Sequence, residues 1–389
     1  MRLIRLRKIW LISHRWLGLT FGLLLILSGS TGSLLVFRTA LDVQLNPEIF
    51  SVAPGESRCS IEDVIRAAEA SPVAQLGKIS FVDFPRSESG VWTVWFQTGT
   101  KESPQLTKAY FDPYRAQMTG QRKHGADLMT WIYKLHVDLF AGHLGETIVG
   151  ITGIVLLISG VTGILLWWPL WKHSWRAALA IRRGARFNYD VHKTGGVISG
   201  GVLFVVAFTG VYLTFPTWIA PVVRSVLPAS EQTSGKPVSK IPDGGGTRIW
   251  ADQAFDAVKN RIPDAEIRRI HPPTAPNGTF IVRFCETGDV HRTLGSSRAW
   301  VDQYSGEILA VRSSKSRSAA ETFLSWQLPL HNGEAFGLLG RWLVFISGIA
   351  LSLLSVTGFL IWWRKRQSSY RQRSIQTRNA ATVKSSSIS

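Results

Sequence analysis

The sequence predicts an integral membrane α-helical protein with four transmembrane helices in two tandem repeats, each carrying an inserted α+β module outside the bilayer. Three observations lead there. Four mostly apolar runs, about residues 16–38, 146–168, 194–216 and 338–363, are each long enough to cross a hydrocarbon core of roughly 30 Å at about 1.5 Å per residue. The second pair of runs repeats the first pair. The positive charge of the chain is confined to segments flanking the runs.

The repeat is explicit. Sliding the chain by 195 residues lays the stretch from Leu135 to Pro169 on the stretch from Leu330 to Arg364 without a gap. His136 meets His331, Thr162-Gly163 meets Thr357-Gly358, and Trp167-Trp168 meets Trp362-Trp363. At an offset of 178, His14, Gly18, Gly22, Thr31-Gly32 and Phe37 meet His192, Gly196, Gly200, Thr209-Gly210 and Phe215. In membrane proteins such self-similarity points to structural repeats about a pseudo-two-fold axis.

A net charge of +18 suggests nucleic acid until the charges are located. Residues 1–15, 169–193 and 364–389 hold eighteen basic residues against the single acid Asp190. The remainder is nearly balanced, with 26 basic and 25 acidic residues. This is the positive-inside pattern, not a nucleic-acid face. It places both termini and the 169–193 loop in the cytoplasm and both long polar segments outside. The basic tail is also suited to anionic membrane lipid. The first run is too long for a signal peptide, lacks an A-x-A-like site after it, and has a repeat partner in mid-chain.

The predicted order is a cytoplasmic N-terminus and first span (1–38), a first outer module (39–127), an interfacial helix and second span (128–168), and a basic cytoplasmic loop (169–193). The third span (194–216), second outer module (217–327), fourth span (328–363) and basic tail (364–389) follow. Each module has one helical stretch, IEDVIRAAEA or ADQAFDAVKN, then strand-like runs such as VWTVWFQT and TFIVRFCE. Each closes on an acid-led turn, at Asp112-Pro113 and at Ser305-Gly306. The tail from 367 is rich in Ser, Arg and Gln, which predicts disorder. Cys59 and Cys285 lie in different modules, and no spacing argument pairs them. No C-x-x-C-H motif is present, so covalent haem attachment is excluded.

HRWLGL at the N-terminus, DVHKTGG after the basic loop and the TGxxxWW span ends resemble the PepSY-associated transmembrane family of iron-regulated, PiuB-like proteins. The resemblance covers roughly residues 8–366 and is strongest to the FoxB-type ferric-siderophore reductases of bacterial inner membranes. It implies PepSY-like periplasmic modules, an inner-membrane location and two non-covalent b-type haems. It further implies a haem-dependent oxidoreductase that reduces a ferric siderophore outside.

The histidines give this reading its residues. His14, His192, His136 and His331 occupy repeat-equivalent positions, so each pair can face its partner across the axis and supply two axial ligands to one haem iron. His14 and His192 form the inner pair, His136 and His331 the outer. Gly18, Gly22, Gly196 and Gly200 follow the inner histidines one and two turns on, and missing side chains there leave a slot for a flat macrocycle. Gly142, Gly145, Gly337 and Gly340 offer a similar slot to the outer pair. Arg15 and Lys193 stand beside the inner pair as propionate partners. Close helix packing also accounts for glycine, but not for histidine. His143, whose repeat partner is Leu338, is the second-rank candidate for the outer iron. His124, His173, His271 and His291 have no equivalents and read as surface or turn residues.

His136 lies about ten residues before its span, which puts the two haems more than a membrane apart unless the helices tilt and the outer haem sinks between them, or aromatic groups such as Trp131 and Phe336 line the gap. No Rossmann, P-loop or flavin pattern supplies a hydride, so the electron donor is a separate cytoplasmic or quinol partner. Trp92, Trp95, Trp131, Trp326 and Tyr133 are available to line an acceptor cleft, against a plain packing or interface role. No residue is singled out as catalytic. Two alternatives remain open: a metal permease that uses the histidines directly, and a PepSY-type sensor or peptidase inhibitor. No intramembrane carboxylate supports the permease, since Glu146 and Asp190 lie at span ends.

Overall fold

The computed structural model of the protein describes residues 2–99, 104–229 and 237–386. The chain divides into two compact units. A membrane unit comprises Met1–Val36, Leu135–Phe215 and Trp342–Ser389, and a sheet unit comprises Phe37–Lys134 and Pro216–Arg341.

Among the described residues, four helical segments are long and apolar enough to cross a membrane: Arg5–Val36, Gly142–His173, Gly184–Thr214 and Glu334–Tyr370. They belong to helices α1 (Arg2–Val36), α4 (Gly142–His173), α5 (Phe187–Thr214) and α8 (Gly337–Ser386). Helix α8 runs unbroken to Ser386, where the sequence predicts a disordered tail. No glycine or proline interrupts residues 367–386, and Arg, Gln, Ala and Lys favour helix. Helix α4 packs against both α1 and α5. At the centre Leu25, Leu203 and Leu351 are buried together, with Leu156 packed beside them. Leu25 and Leu203 are 178 residues apart, and Leu156 and Leu351 are 195 apart, so repeat-matched positions meet in one core. Helices α1 and α8 approach closely at Gly29 and Gly348, where a β-carbon on Gly29 would lie 2.5 Å from the Gly348 carbonyl oxygen.

The sheet unit departs from the expected pair of separate modules. Its strands are β1 (Gly77–Asp83), β2 (Trp92–Gly99), β3 (Pro104–Phe111), β4 (Met118–Lys123), β5 (Glu266–His271), β6 (Thr279–Cys285), β7 (Ser297–Asp302) and β8 (Ile308–Arg312). They form one sheet in the order β4-β3-β2-β1-β5-β6-β7-β8. Each module is thus a four-stranded antiparallel meander. The two join edge to edge where Val82 pairs with Ile270 and Asp83 with Arg269. Pairing removes an open strand edge from each module, a liability either would carry alone.

One face of this sheet is covered by α2 (Ile61–Glu69) and α6 (Ala251–Arg261), and a single core holds Val64, Val94 and Phe96 of one module with Val258, Val282 and Phe284 of the other. The helices cap each other. The Asp252 carboxylate accepts from the Ile61 and Glu62 amides at 2.8 and 2.9 Å, and Glu62 accepts from the Ala251 amide at 3.4 Å. The closing turns also match: Asp112 accepts from the Tyr114 amide at 2.7 Å, and Asp302 from the Tyr304 amide at 2.8 Å. Cys59 and Cys285 are both free thiols.

Candidate functional site

The inner pair of histidines meets inside the membrane unit. The His14 and His192 rings lie 6.0 Å apart between centroids, with planes at 82°. Each imidazole has the same kind of seat. His14 Nδ1 is 3.1 Å from both the Ser159 carbonyl oxygen and Thr162 Oγ1. His192 Nδ1 is 2.9 Å from the Leu354 carbonyl oxygen and 3.1 Å from Thr357 Oγ1. Ser159 and Leu354, like Thr162 and Thr357, are 195 residues apart, so the two seats are copies in contact as well as in sequence.

These partners decide the tautomer. A carbonyl oxygen only accepts, so Nδ1 carries the proton in both rings. The threonine hydroxyls are committed as donors to their own helix, Thr162 to Ile158 O at 2.9 Å and Thr357 to Leu353 O at 2.7 Å, and so can accept from the rings. Nε2 of each histidine is left as a bare lone pair. A histidine that ligates a metal usually donates its other ring N–H in this way.

The glycine of each Thr-Gly pair makes room for a ring. A β-carbon on Gly163 would lie 3.3 Å from His14 Cε1, and one on Gly358 would lie 3.2 Å from His192 Cε1. The same device recurs at the other end of α1. His136 Nδ1 is 2.9 Å from Thr31 Oγ1, whose own proton goes to Leu27 O at 2.6 Å. A β-carbon on Gly32 would lie 3.0 Å from His136 Cε1. In the sequence these Thr-Gly pairs stand out only as matched positions of the repeats. The available signal was numerical: four Thr-Gly pairs at repeat positions match four repeat histidines.

His136 itself lies against α1. It sits near the end of α3 (Leu128–Val137), and the chain then reverses into α4, bringing the ring back to α1. Thr31 is seventeen residues from His14, a rise of about 25 Å along α1. His143 stands apart, with a side chain 94% exposed and Nδ1 3.5 Å from Glu146 Oε2. His331 ends α7 (Ala319–His331) in the sheet unit.

Several expected roles change. Lys193 is no propionate partner: its ammonium donates to the Ala177 and Ala180 carbonyls, both at 3.0 Å, and to Asp190 at 3.1 Å. That uses all three of its protons. Asp190 is fully buried and also takes Arg182 in a two-point pair at 2.8 and 2.9 Å, so this cluster braces the 169–193 loop. Arg15 is exposed, with its guanidinium 5.7 Å from the Trp16 ring.

Gly142 and Gly337 have φ of +56° and +61°, and a β-carbon on Gly145 would lie 1.6 Å from the Asp138 carbonyl oxygen. These glycines serve the backbone at the helix starts, not a slot. The inner glycines differ: a β-carbon on Gly18, Gly22 or Gly200 would meet nothing within 4 Å, and one on Gly196 only Leu354 Cδ2 at 3.8 Å. Trp92 is a core residue, 3% exposed, and Trp95 donates to Asp83 at 2.9 Å, whereas Trp131 and Tyr133 are exposed.

A family model described as the PepSY-associated TM region matches residues 11–365. The chain belongs to this family. No curated protein matches the chain. The PepSY-associated TM region match takes in His14, His136, His192 and His331 together with most or all of each membrane segment.

The inner seat fits a haem. An iron held by two imidazole nitrogens at about 2 Å each leaves the ring centres roughly 6.3 Å apart, against the 6.0 Å found here. Among the described residues no three metal-ligating side chains cluster. Two facing histidines are the protein ligand set that a haem iron takes.

Proposed function

We propose that this protein is a transmembrane electron carrier built as two tandem span–module–span repeats, holding b-type haem and reducing a ferric chelate such as a ferric siderophore on the outer face. The observation that carries the reading is the His14/His192 pair, with both Nδ1 atoms proton-bearing and both Nε2 atoms bare. When bound there, haem supplies one-electron chemistry within the membrane. The protein contributes the rest. Thr162 and Ser159 hold the His14 ring, and Thr357 and Leu354 hold the His192 ring, each in its ligating tautomer.

The reading extends to a second haem, for which His136, seated against Thr31, is a ligand. It makes the protein a haem-dependent oxidoreductase of the bacterial inner membrane, with cytoplasmic termini and a cytoplasmic or quinol donor. The test is the absorption spectrum of the purified protein before and after dithionite. A Soret band with sharp α and β bands on reduction, diminished in both His14→Ala and His192→Ala, is expected. A colourless full-length protein from haem-replete cells refutes the reading.

A further inference from the structure

The sheet face turned away from α2 and α6 carries a row of arginines in direct register. Arg269 on β5 is the partner of Arg283 on β6, Arg283 of Arg298 on β7, and Arg298 of Arg312 on β8. Directly opposed residues point to the same side of a sheet, about 5 Å apart from strand to strand. Like charges placed so are destabilising.

The ends of the row are neutralised. Arg269 makes a two-point pair with Asp83 at 2.5 and 2.9 Å, and Arg312 reaches Glu321 at 2.5 Å. The middle is not: among the described residues neither Arg283 nor Arg298 has a carboxylate within ion-pair distance. Arg283 is half-buried, and its guanidinium is pushed down to about 10 by burial and by its two arginine neighbours. Two buried donors on this face, Arg283 Nε and Trp300 Nε1, have no acceptor among the described residues. Trp300 is the partner of Ile281, which puts it diagonal to Arg283 on adjoining strands. Both donors sit beside cations that no described carboxylate neutralises.

We infer that the Arg283–Arg298 step of this row is a binding site for a soluble polyvalent oxyanion, a small molecule with clustered carboxylates. Arg283, whose Nη2 also donates to the Gly295 carbonyl at 3.1 Å, and Arg298 place two guanidinium groups one strand apart, which suits two oxyanion groups on one molecule and not a monocarboxylate. The outward end of the site is Arg298, which is exposed. Under the function proposed above the occupant is an anionic ferric chelate. That extension rests on the redox reading, whereas the site itself does not.

The test uses full-length protein in nanodiscs of neutral lipid, with citrate as probe, acetate as the monovalent control, and no iron or reductant. Citrate is expected to bind in calorimetry and raise the melting temperature, while acetate at equal ionic strength does neither. Arg298→Gln and Arg283→Gln should each weaken citrate at least tenfold. Arg298→Gln should also melt no lower than the parent without citrate, because it removes a like-charge neighbour. An arginine kept only for packing predicts a lower melting temperature and unchanged citrate binding, which overturns the inference. A response only to anionic-lipid nanodiscs, with none to citrate, also overturns it. Failure here leaves the haem spectrum intact, and absence of haem leaves citrate binding intact, so the two readings fail separately.

Discussion

Replacing Gly163 by valine tests the inner seat most directly. A β-carbon at Gly163 lies 3.3 Å from His14 Cε1, and the branched γ-carbons reach further into the space of the ring. The imidazole has to swing aside. Its two Nδ1 contacts are both already 3.1 Å long, so a shift of this kind breaks them. Each is worth about 0.5–1.5 kcal/mol net, so their joint loss is about 2 kcal/mol, or roughly thirtyfold in occupancy of anything ligated by Nε2. Gly160, three residues earlier in the same helix, is the control: a β-carbon there meets nothing within 4 Å. The assay is haem per protein by pyridine haemochromogen, with low-spin signals counted by electron paramagnetic resonance. Gly163→Val should lose about half the haem at limiting supply, while Gly160→Val keeps it. Full low-spin haem in Gly163→Val, or equal loss in Gly160→Val, refutes the seat.

Other expectations follow from the same geometry. His143→Ala should leave the spectrum unchanged and His136→Ala should alter it, because His143 is exposed whereas His136 is held by Thr31; the reverse outcome in reduced-minus-oxidised spectra contradicts this. Lys193→Met should lower the melting temperature by leaving buried Asp190 short of a cation, with the haem ratio of the surviving protein unchanged. The His271 imidazole is pushed down to about 4 by burial and then by Arg269 and Arg283. The unfolded chain, with an ordinary value near 6.5, therefore binds the proton first. Its share of stability is full above about pH 6.5 and is lost as pH falls towards 4. Melting curves at pH 7 and pH 5 should show a smaller acid loss in His271→Gln than in the parent. A reporter active only in the periplasm should be silent after Ser389 and active near Gly245, in accord with the basic segments of the sequence.

Legibility in the sequence followed the range of the forces involved. The four spans, the charge asymmetry, the two repeats and the four repeat histidines were all readable, because each is a property of a contiguous run or of one run laid on its copy. So were α2, α6 and the acid-led turns, whose periodicity and capping act within a few residues. Tertiary structure alone decided the merging of two modules into one sheet, since Val82 and Ile270 pair across 188 residues by edge-strand register. It also decided which Thr-Gly pair seats which histidine, for His14 and Thr162 meet only through helix packing. It reassigned Lys193, because burial of Asp190 demands cations and the nearest ammonium supplies one. The arginine row was hidden for the same reason. Its members are 14 or 15 residues apart at each step, and spacing in the chain says nothing of partnership until strand register sets them side by side.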